Sequence, residues 1–227
     1  MKAFCPRLEI LPEGQRSLWP TLAALAPLGW VLYGGTAIAL RYGHRVSVDF
    51  DFFSAQPLHR QELALALPWL ASAVVLQDQP ETLTLLVPVA PDNEVKVSFF
   101  GGLVIGRVSD PEISNDGVAQ VASPLDLLAT KLKVLLQRAE RKDYLDVATL
   151  LQSGLSLADG LAAANALYGS SFPPEEALKA LVYFADGDLP ELQISIQRRL
   201  EAAALAVDAL PPCQRSALDL SGFSPNA

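Results

Sequence analysis

Cysteine is nearly absent from this chain. Its 227 residues include two, Cys5 and Cys213, with no metal-ligand spacing between them. A disulfide-stapled scaffold is therefore excluded, and a reducing, cytoplasmic setting is the simple expectation. Long apolar runs are missing too. No stretch approaches the ~20 apolar residues that span a bilayer, so no membrane partner is expected. The segment from Met1 to Arg16 carries Pro6, Glu9, Pro12 and Glu13 in place of a signal peptide's apolar run. Basic charge is also short: 17 Lys and Arg against 25 Asp and Glu, for a net charge of −8. So acidic a chain does not bind nucleic acid through bulk charge, and any RNA partner needs a local basic patch. What is abundant is apolar material, 51% against 19% charged, which argues against disorder and supplies a core for one large or two small domains.

One stretch concentrates the chemistry. Trp30 to Tyr33 reads as a short apolar strand. Gly34-Gly35 reads as a turn that the backbone can approach closely, since neither residue has a Cβ. Thr36 to Tyr42 fits a short helix, with Thr36 near its N-cap and Gly43 as its stop. Val48 to Phe53 is a second strand. Alternation puts Val48, Phe50 and Phe52 on one face and Asp49, Asp51 and Phe53 on the other. The two carboxylates sit about 7 Å apart at the backbone and repel unless a cation lies between them. Hard oxygen ligands of this kind suit Mg²⁺, while a turn leading into a helix N-terminus favours a phosphate. Either feature alone is commonly just a solvated strand face or just a turn. Their conjunction in one strand–turn–helix–strand unit favours a site.

The rest of the chain sorts into two parts. A helix is expected over 15–28, with Leu18, Leu22, Leu25 and Leu28 at helical spacing. A helix over 57–67, strands over 72–77, 82–87 and 94–100, and a turn at Pro91-Asp92-Asn93 follow. On the last strand Glu94, Lys96 and Ser98 share a face. A short strand near 118–121 precedes Ser123-Pro124-Leu125-Asp126, a strong helix start. From there the pattern is helical to about 210, with helices over 155–168, 174–185 and 190–210 and a loosely held tail from Pro211. The expected fold class is α+β: an N-terminal mixed sheet with helices over 1–122, then a helical domain over 123–227. In the second part Leu125, Leu128, Leu132, Leu136 and Ala139 form an apolar stripe, with Lys131, Arg138 and Lys142 on another face. Asp143 and Asp146 share a face at a spacing of three. Such a run is most often a solvated, ion-paired surface. Among single residues, Trp19, Trp30 and Trp69 read as core and His59 as surface. His44 divides evenly between a phosphate contact and a helix cap, and Ser54 reads as the cap of the following helix.

Gly34-Gly35-Thr36, twelve residues, then Asp49-Phe50-Asp51-Phe52-Phe53 resembles the first motif of polymerase-beta-like nucleotidyltransferases. The longer wording, from Gly34-Gly35-Thr36-Ala37 through Gly43-His44-Arg45 to Asp51-Phe52-Phe53, is similar to the AbiEii/AbiGii-type toxin branch. Lys131-Leu132-Lys133 and the run from Arg138 to Asp146 match that branch's later motifs. The resemblance implies an N-terminal nucleotidyltransferase-like core and a Mg²⁺-dependent enzyme that uses an NTP. Asp49 and Asp51 would hold the metal. Gly34, Gly35, Thr36, Arg45, Lys131 and Arg138 would meet the nucleotide, and Lys131, Asp143 and Asp146 would join the two metal-binding acids as catalytic residues. It further implies the toxin of a toxin–antitoxin pair, with a cognate antitoxin and with RNA (often tRNA) or a protein as acceptor. Arg41, Arg45, Arg138, Arg141 and Lys142 would form the basic patch for RNA phosphates.

The sequence departs from that pattern once. A third carboxylate is expected after Val95-Lys96-Val97, where Ser98 stands. Either Asp143, Asp146 or Glu94 supplies the missing oxygen, or the site holds one metal. A catalytically inactive nucleotide-binding or partner-binding module is the alternative reading, and a kinase-like phosphotransferase is a third, separable by product mass.

Overall fold

The structure, a computed structural model, describes residues 2–91 and 93–222. The chain divides into two compact units that are not contiguous in sequence. The first takes residues up to Gly106, Asp110–Ser123 and the chain from Ala217; the second takes Arg107–Ser109 and Pro124–Ser216.

The first unit is built on an eight-stranded mixed sheet. Its strands are β1 (Ala3–Phe4), β2 (Val31–Tyr33), β3 (Asp49–Phe53), β4 (Val74–Gln79), β5 (Thr82–Ala90), β6 (Asn93–Phe100), β7 (Glu112–Ser114) and β8 (Gln120–Val121), in the order β1-β7-β8-β2-β3-β6-β5-β4. β2 lies at the centre and is buried throughout, as its unbroken apolar sequence demands. β3 runs antiparallel to β2 and parallel to β6. β5 and β6 alternate, burying Leu83, Leu85 and Val87 on one strand and Val95, Val97 and Phe99 on the other. Three short helices accompany the sheet: α1 (Glu13–Leu18), α2 (Gly34–Tyr42) and α3 (Arg60–Ala66).

Several expectations change here. The helix expected over 15–28 is a short α1 followed by a 3-10 stretch over Trp19–Leu25 that carries Pro20 in its first turn; proline removes an N–H that a continuing helix needs. β1 and β7 had no signal in the sequence, being two and three residues long. Ser54 is buried and accepts the Gln56 N–H (3.1 Å), so it closes a local turn and does not cap α3, whose N-cap is His59. The turn expected at 91–93 includes Asp92, which lies outside the described residues. The tail is not loose through Gly222. Leu220 is buried, and the buried Gln120 amide holds Ser221 Oγ (2.9 Å) and the Gly222 N–H (2.8 Å).

The second unit is helical: α4 (Pro124–Leu135), α5 (Arg141–Gln152), α6 (Leu157–Tyr168), α7 (Pro174–Leu181) and α8 (Ile194–Leu205). Gly160 lets α4 and α6 approach closely, since a Cβ there would fall 2.5 Å from Leu128 Cδ2. Asp126 on α4 accepts the N–H groups of Val108 (2.9 Å) and Ser109 (3.1 Å), which draws that segment into this unit. Ser156 caps α6 by accepting the Asp159 N–H. The apolar stripe predicted across 125–139 is interrupted: α4 ends at Leu135 and α5 starts at Arg141. Lys131, Arg138 and Lys142 therefore do not share one helix face.

Candidate active site

The site in the first unit grows from the β2–α2–β3 connection. Tyr33 is the N-cap of α2, and Gly34 enters the helix at φ +75°. That left-handed backbone suits glycine, and a Cβ on Gly34 would lie 2.6 Å from Asp51 Oδ2, so the carboxylate would have to shift. A Cβ on Gly35 would collide with Arg45 Nη2 and stand 2.8 Å from Ser47 Oγ. The Gly-Gly pair thus brings bare backbone against a carboxylate and a guanidinium. Thr36 is not the cap. It sits inside α2, fully buried, and its hydroxyl donates to the Asp49 carbonyl, pinning the helix to the acidic strand. Gly43 ends α2 in the left-handed conformation, as expected.

β3 presents Asp49 and Asp51 on one face and buries Phe50 and Phe52 on the other. Sheet register sets two residues against the acidic pair: Ser98, expected at the third-carboxylate position, and Lys96, which sequence reasoning did not assign to the site. Parallel pairing sets Asp49 beside Lys96 and Asp51 beside Ser98. Lys96 Nζ lies 3.1 Å from Asp49 Oδ2, and Ser98 is buried. The signal was the alternation Lys96-x-Ser98 matching Asp49-x-Asp51, which only the strand pairing makes meaningful. Glu94 pairs with Pro88 four residues up the strand, roughly 13 Å from Ser98 by rise alone, too far to stand in for it. Among the described residues no group of three His, Cys, Asp or Glu side chains converges as a metal nest. Two adjacent carboxylates beside an open backbone turn still fit one Mg²⁺, which takes one or two protein carboxylates and leaves its other positions to water and phosphate.

The second unit carries a separate, tightly closed cluster. Lys131 is buried, and its ammonium reaches Asp143 Oδ1 at 2.7 Å and Asp146 Oδ2 at 2.6 Å. Arg138 Nε donates to Asp143 Oδ2 at 2.8 Å, and its Nη2 to Oδ1 at 3.3 Å. Both aspartates have no exposed side-chain surface. Burial raises the Asp143 carboxyl, but the bonds from Arg138 and Lys131 outweigh it and hold the group below the usual carboxylate range. The lysine expected on an exposed helix face is thus an interior cation between two acids.

The cations expected to meet RNA are mostly engaged. Arg41 is buried, paired with Glu112, bonded to the Val121 and Ala122 carbonyls, and stacked on Phe4. It is a structural residue of the sheet, not part of a surface patch. Arg141 pairs with Asp188 and Glu191, and Lys142 with Glu140.

A strand, a Gly-Gly turn into a helix, and a second strand bearing Asp-x-Asp on a mixed sheet form an arrangement similar to that of nucleotidyltransferases. More particularly, residues 22–211 match the family described as nucleotidyl transferase AbiEii toxin, Type IV TA system, and the chain belongs to that family. It is also similar to an uncharacterized protein, aq_aa25, of Aquifex aeolicus (strain VF5), with 32% identity over 123 residues. That match covers 53% of this chain and 57% of the relative, so the chain spans little more than half of the relative's length. No single helix among the described residues is long and apolar enough to cross a membrane.

Proposed function

We propose that this chain is a Mg²⁺-dependent toxin nucleotidyltransferase that moves a nucleotide from an NTP to an RNA (tRNA the first candidate) or protein acceptor. The observation that carries the reading is the Gly34 backbone held against the Asp51 carboxylate, with Asp49 on the same strand face. Asp49 and Asp51 would hold Mg²⁺, which when bound supplies charge neutralisation on the phosphates. The N-terminal turn of α2, from Gly34 to Thr36, offers backbone N–H groups to the triphosphate, and Arg45 adds a cation beside Gly35. Lys131, held by Asp143 and Asp146, and Arg138 are the remaining candidates for contact with nucleotide phosphate. In the reaction the acceptor oxygen forms a bond to the α-phosphorus. The bond from that phosphorus to the bridging oxygen breaks, pyrophosphate leaves with the electron pair, and the hydroxyl proton passes to solvent. Positioning and electrostatics supply most of the rate. A cytoplasmic setting and a cognate antitoxin complete the proposal, the first supported by two cysteines that are both free thiols.

The test is incubation with each labelled NTP, Mg²⁺, and separated cellular RNA and protein. We expect label in RNA, and none with Asp49→Asn or Asp51→Asn. Ser98 beside Asp51 favours a second reading, an inactive nucleotide-binding module. NTP binding without any labelled pool would establish that one.

A further inference from the structure

We propose that the first unit carries a second binding site, for a small organic cation that also bears hydroxyl or carbonyl oxygens. The site is a cleft at the end of β2 and β3 remote from Asp49 and Asp51, and it is independent of the nucleotidyltransferase reading. The cleft holds about 330 Å³, near the lower bound of ligand pockets. Trp30, just before β2, and Ser54, just past β3, line it together with Pro27 and Pro57. Glu62 on α3 and Asp219 on the returning chain add carboxylates. Strand rise sets the cleft apart from the acidic face. Trp30 precedes Gly34 by four residues, about 13 Å, and Ser54 follows Asp51 by three, about 10 Å.

Two buried donors face a need for acceptors. Trp30 is 4% exposed, and its indole N–H donates to no acceptor among the described residues. The other two indoles are satisfied: Trp19 donates to Asp116 (2.8 Å) and Trp69 to Thr21 (3.1 Å). A buried indole N–H ordinarily finds a partner, and this one belongs to a residue lining an open cleft. Ser54 is 1% exposed, and its hydroxyl accepts the Gln56 N–H (3.1 Å). The Ser54 proton goes to no acceptor among the described residues. Both donors call for ligand oxygens. Charge decides the rest. The lining includes Glu62 and Asp219 and no lysine or arginine, so phosphates, nucleotides and other anions are disfavoured and an ammonium or guanidinium is favoured. Asp219 accepts the Ser221 N–H (3.0 Å), which helps fix where its carboxylate sits. A metal ion fits poorly, because His59, Glu62 and Asp219 do not converge as a ligand set. Pro27, Leu28 and Pro57 offer apolar surface to a short carbon frame. Donors for oxygens, carboxylates for a cation and an apolar wall together describe an amino-polyol or a related amine.

The experiment uses the full chain, labelled with nitrogen-15, and a small set of probes. Glucamine joins an ammonium to a row of hydroxyls. Sorbitol has the hydroxyls without the charge, and putrescine has the charge without oxygens. Calorimetry at physiological salt is expected to show saturable glucamine binding with a Kd of roughly 1 mM or tighter. Sorbitol and putrescine are expected to bind at least about tenfold more weakly, each lacking one set of contacts. Among the indole N–H signals, assigned sequentially, glucamine should shift that of Trp30 and leave those of Trp19 and Trp69 in place. Glu62→Gln and Trp30→Phe are each expected to weaken binding about fivefold, and Asp49→Asn to leave it unchanged. If Trp30→Phe fails to fold, the wild-type indole shifts and the Glu62→Gln affinity decide. No saturable glucamine binding at ten times that concentration overturns the inference, as does binding with the Trp30 signal unmoved. Binding kept in Glu62→Gln but lost in Asp49→Asn places the cation on the acidic strand and overturns it too. Putrescine binding as tightly as glucamine also overturns it, since Trp30 and Ser54 would then have no part. Each of these outcomes leaves the reading of nucleotide transfer standing.

Discussion

The chain presents Asp, Lys and Arg twice, and the two arrangements differ in burial more than in composition. On the face of β3 the acids are half-exposed: Asp49 keeps 34% of its side chain in solvent and shares one lysine at the sheet surface. Between α4 and α5 the acids are fully buried, and their charges are met inside the protein by Lys131 and Arg138. A half-exposed acid retains lone pairs and room for a ligand. A buried acid must be compensated where it stands, because uncompensated burial of charge costs several kcal/mol. The first arrangement is open to binding, and the second holds a fold in register while fixing where its cation sits.

Removing a cation should separate the two most sharply. Lys131→Met leaves Asp143 and Asp146 buried without their shared ammonium, and we expect a loss of about 3–5 kcal/mol in urea unfolding. A loss of that size marks Lys131 as an interior cation and not a solvated helix lysine. A loss below about 1 kcal/mol would mean the cluster behaves as a surface pair and the comparison fails.

Acid should act next, and on the same side. Asp143 titrates below its ordinary value in the folded protein, so its stabilisation is complete above the unfolded carboxylate pKa, near 3.8. That stabilisation is lost as pH falls from there through the lower folded value. We expect wild-type stability to drop steeply below about pH 4 and Asp143→Asn to flatten that drop. Parallel curves for the two proteins would remove Asp143 as the cause.

Gly34→Ala is expected to cost about 1–3 kcal/mol, since alanine is strained at φ +75°, and to weaken NTP binding, since its methyl meets Asp51. Unchanged NTP affinity by calorimetry would detach the glycine turn from the nucleotide. The smallest stability effect belongs to Asp49→Asn, which loses only a half-exposed pair worth about 0–1 kcal/mol. The same change is expected to abolish nucleotide transfer, so a folded, inactive protein is the signature of the open face.

How much of this was legible in the sequence follows the range of the interactions. The β2–α2–β3 unit was readable because its signals are local: Gly34-Gly35, Gly43 and the alternation of Asp49, Phe50, Asp51 and Phe52 lie within one short stretch. The α+β class followed from alternation on β5 and β6 giving way to helical spacing after Ser123. Lys131 was misread because its partners lie beyond a helix break, and Leu132, Leu136 and Ala139 keep helical spacing through that break. Arg41 was misread because Glu112, the Val121 carbonyl and Phe4 reach it only through strands too short to show periodicity. Ser98's place beside the acids was expected only through the family resemblance, and Lys96's neighbour was not visible at all: a parallel pairing between β3 and β6 is a long-range fact.

The return of the chain at Ala217 has a consequence for biosynthesis. The sheet unit reaches Ser123 early in translation, yet Leu220, Ser221 and Gly222, which cover its Gln120 amide, are translated only after all five helices α4–α8. A nascent chain therefore carries a sheet unit whose Gln120 amide keeps the Ala26 carbonyl but lacks Ser221 and Gly222, while the helical unit is already translated. The face bearing Asp49 and Asp51 thus belongs to a unit that is closed by residues translated after the helical unit.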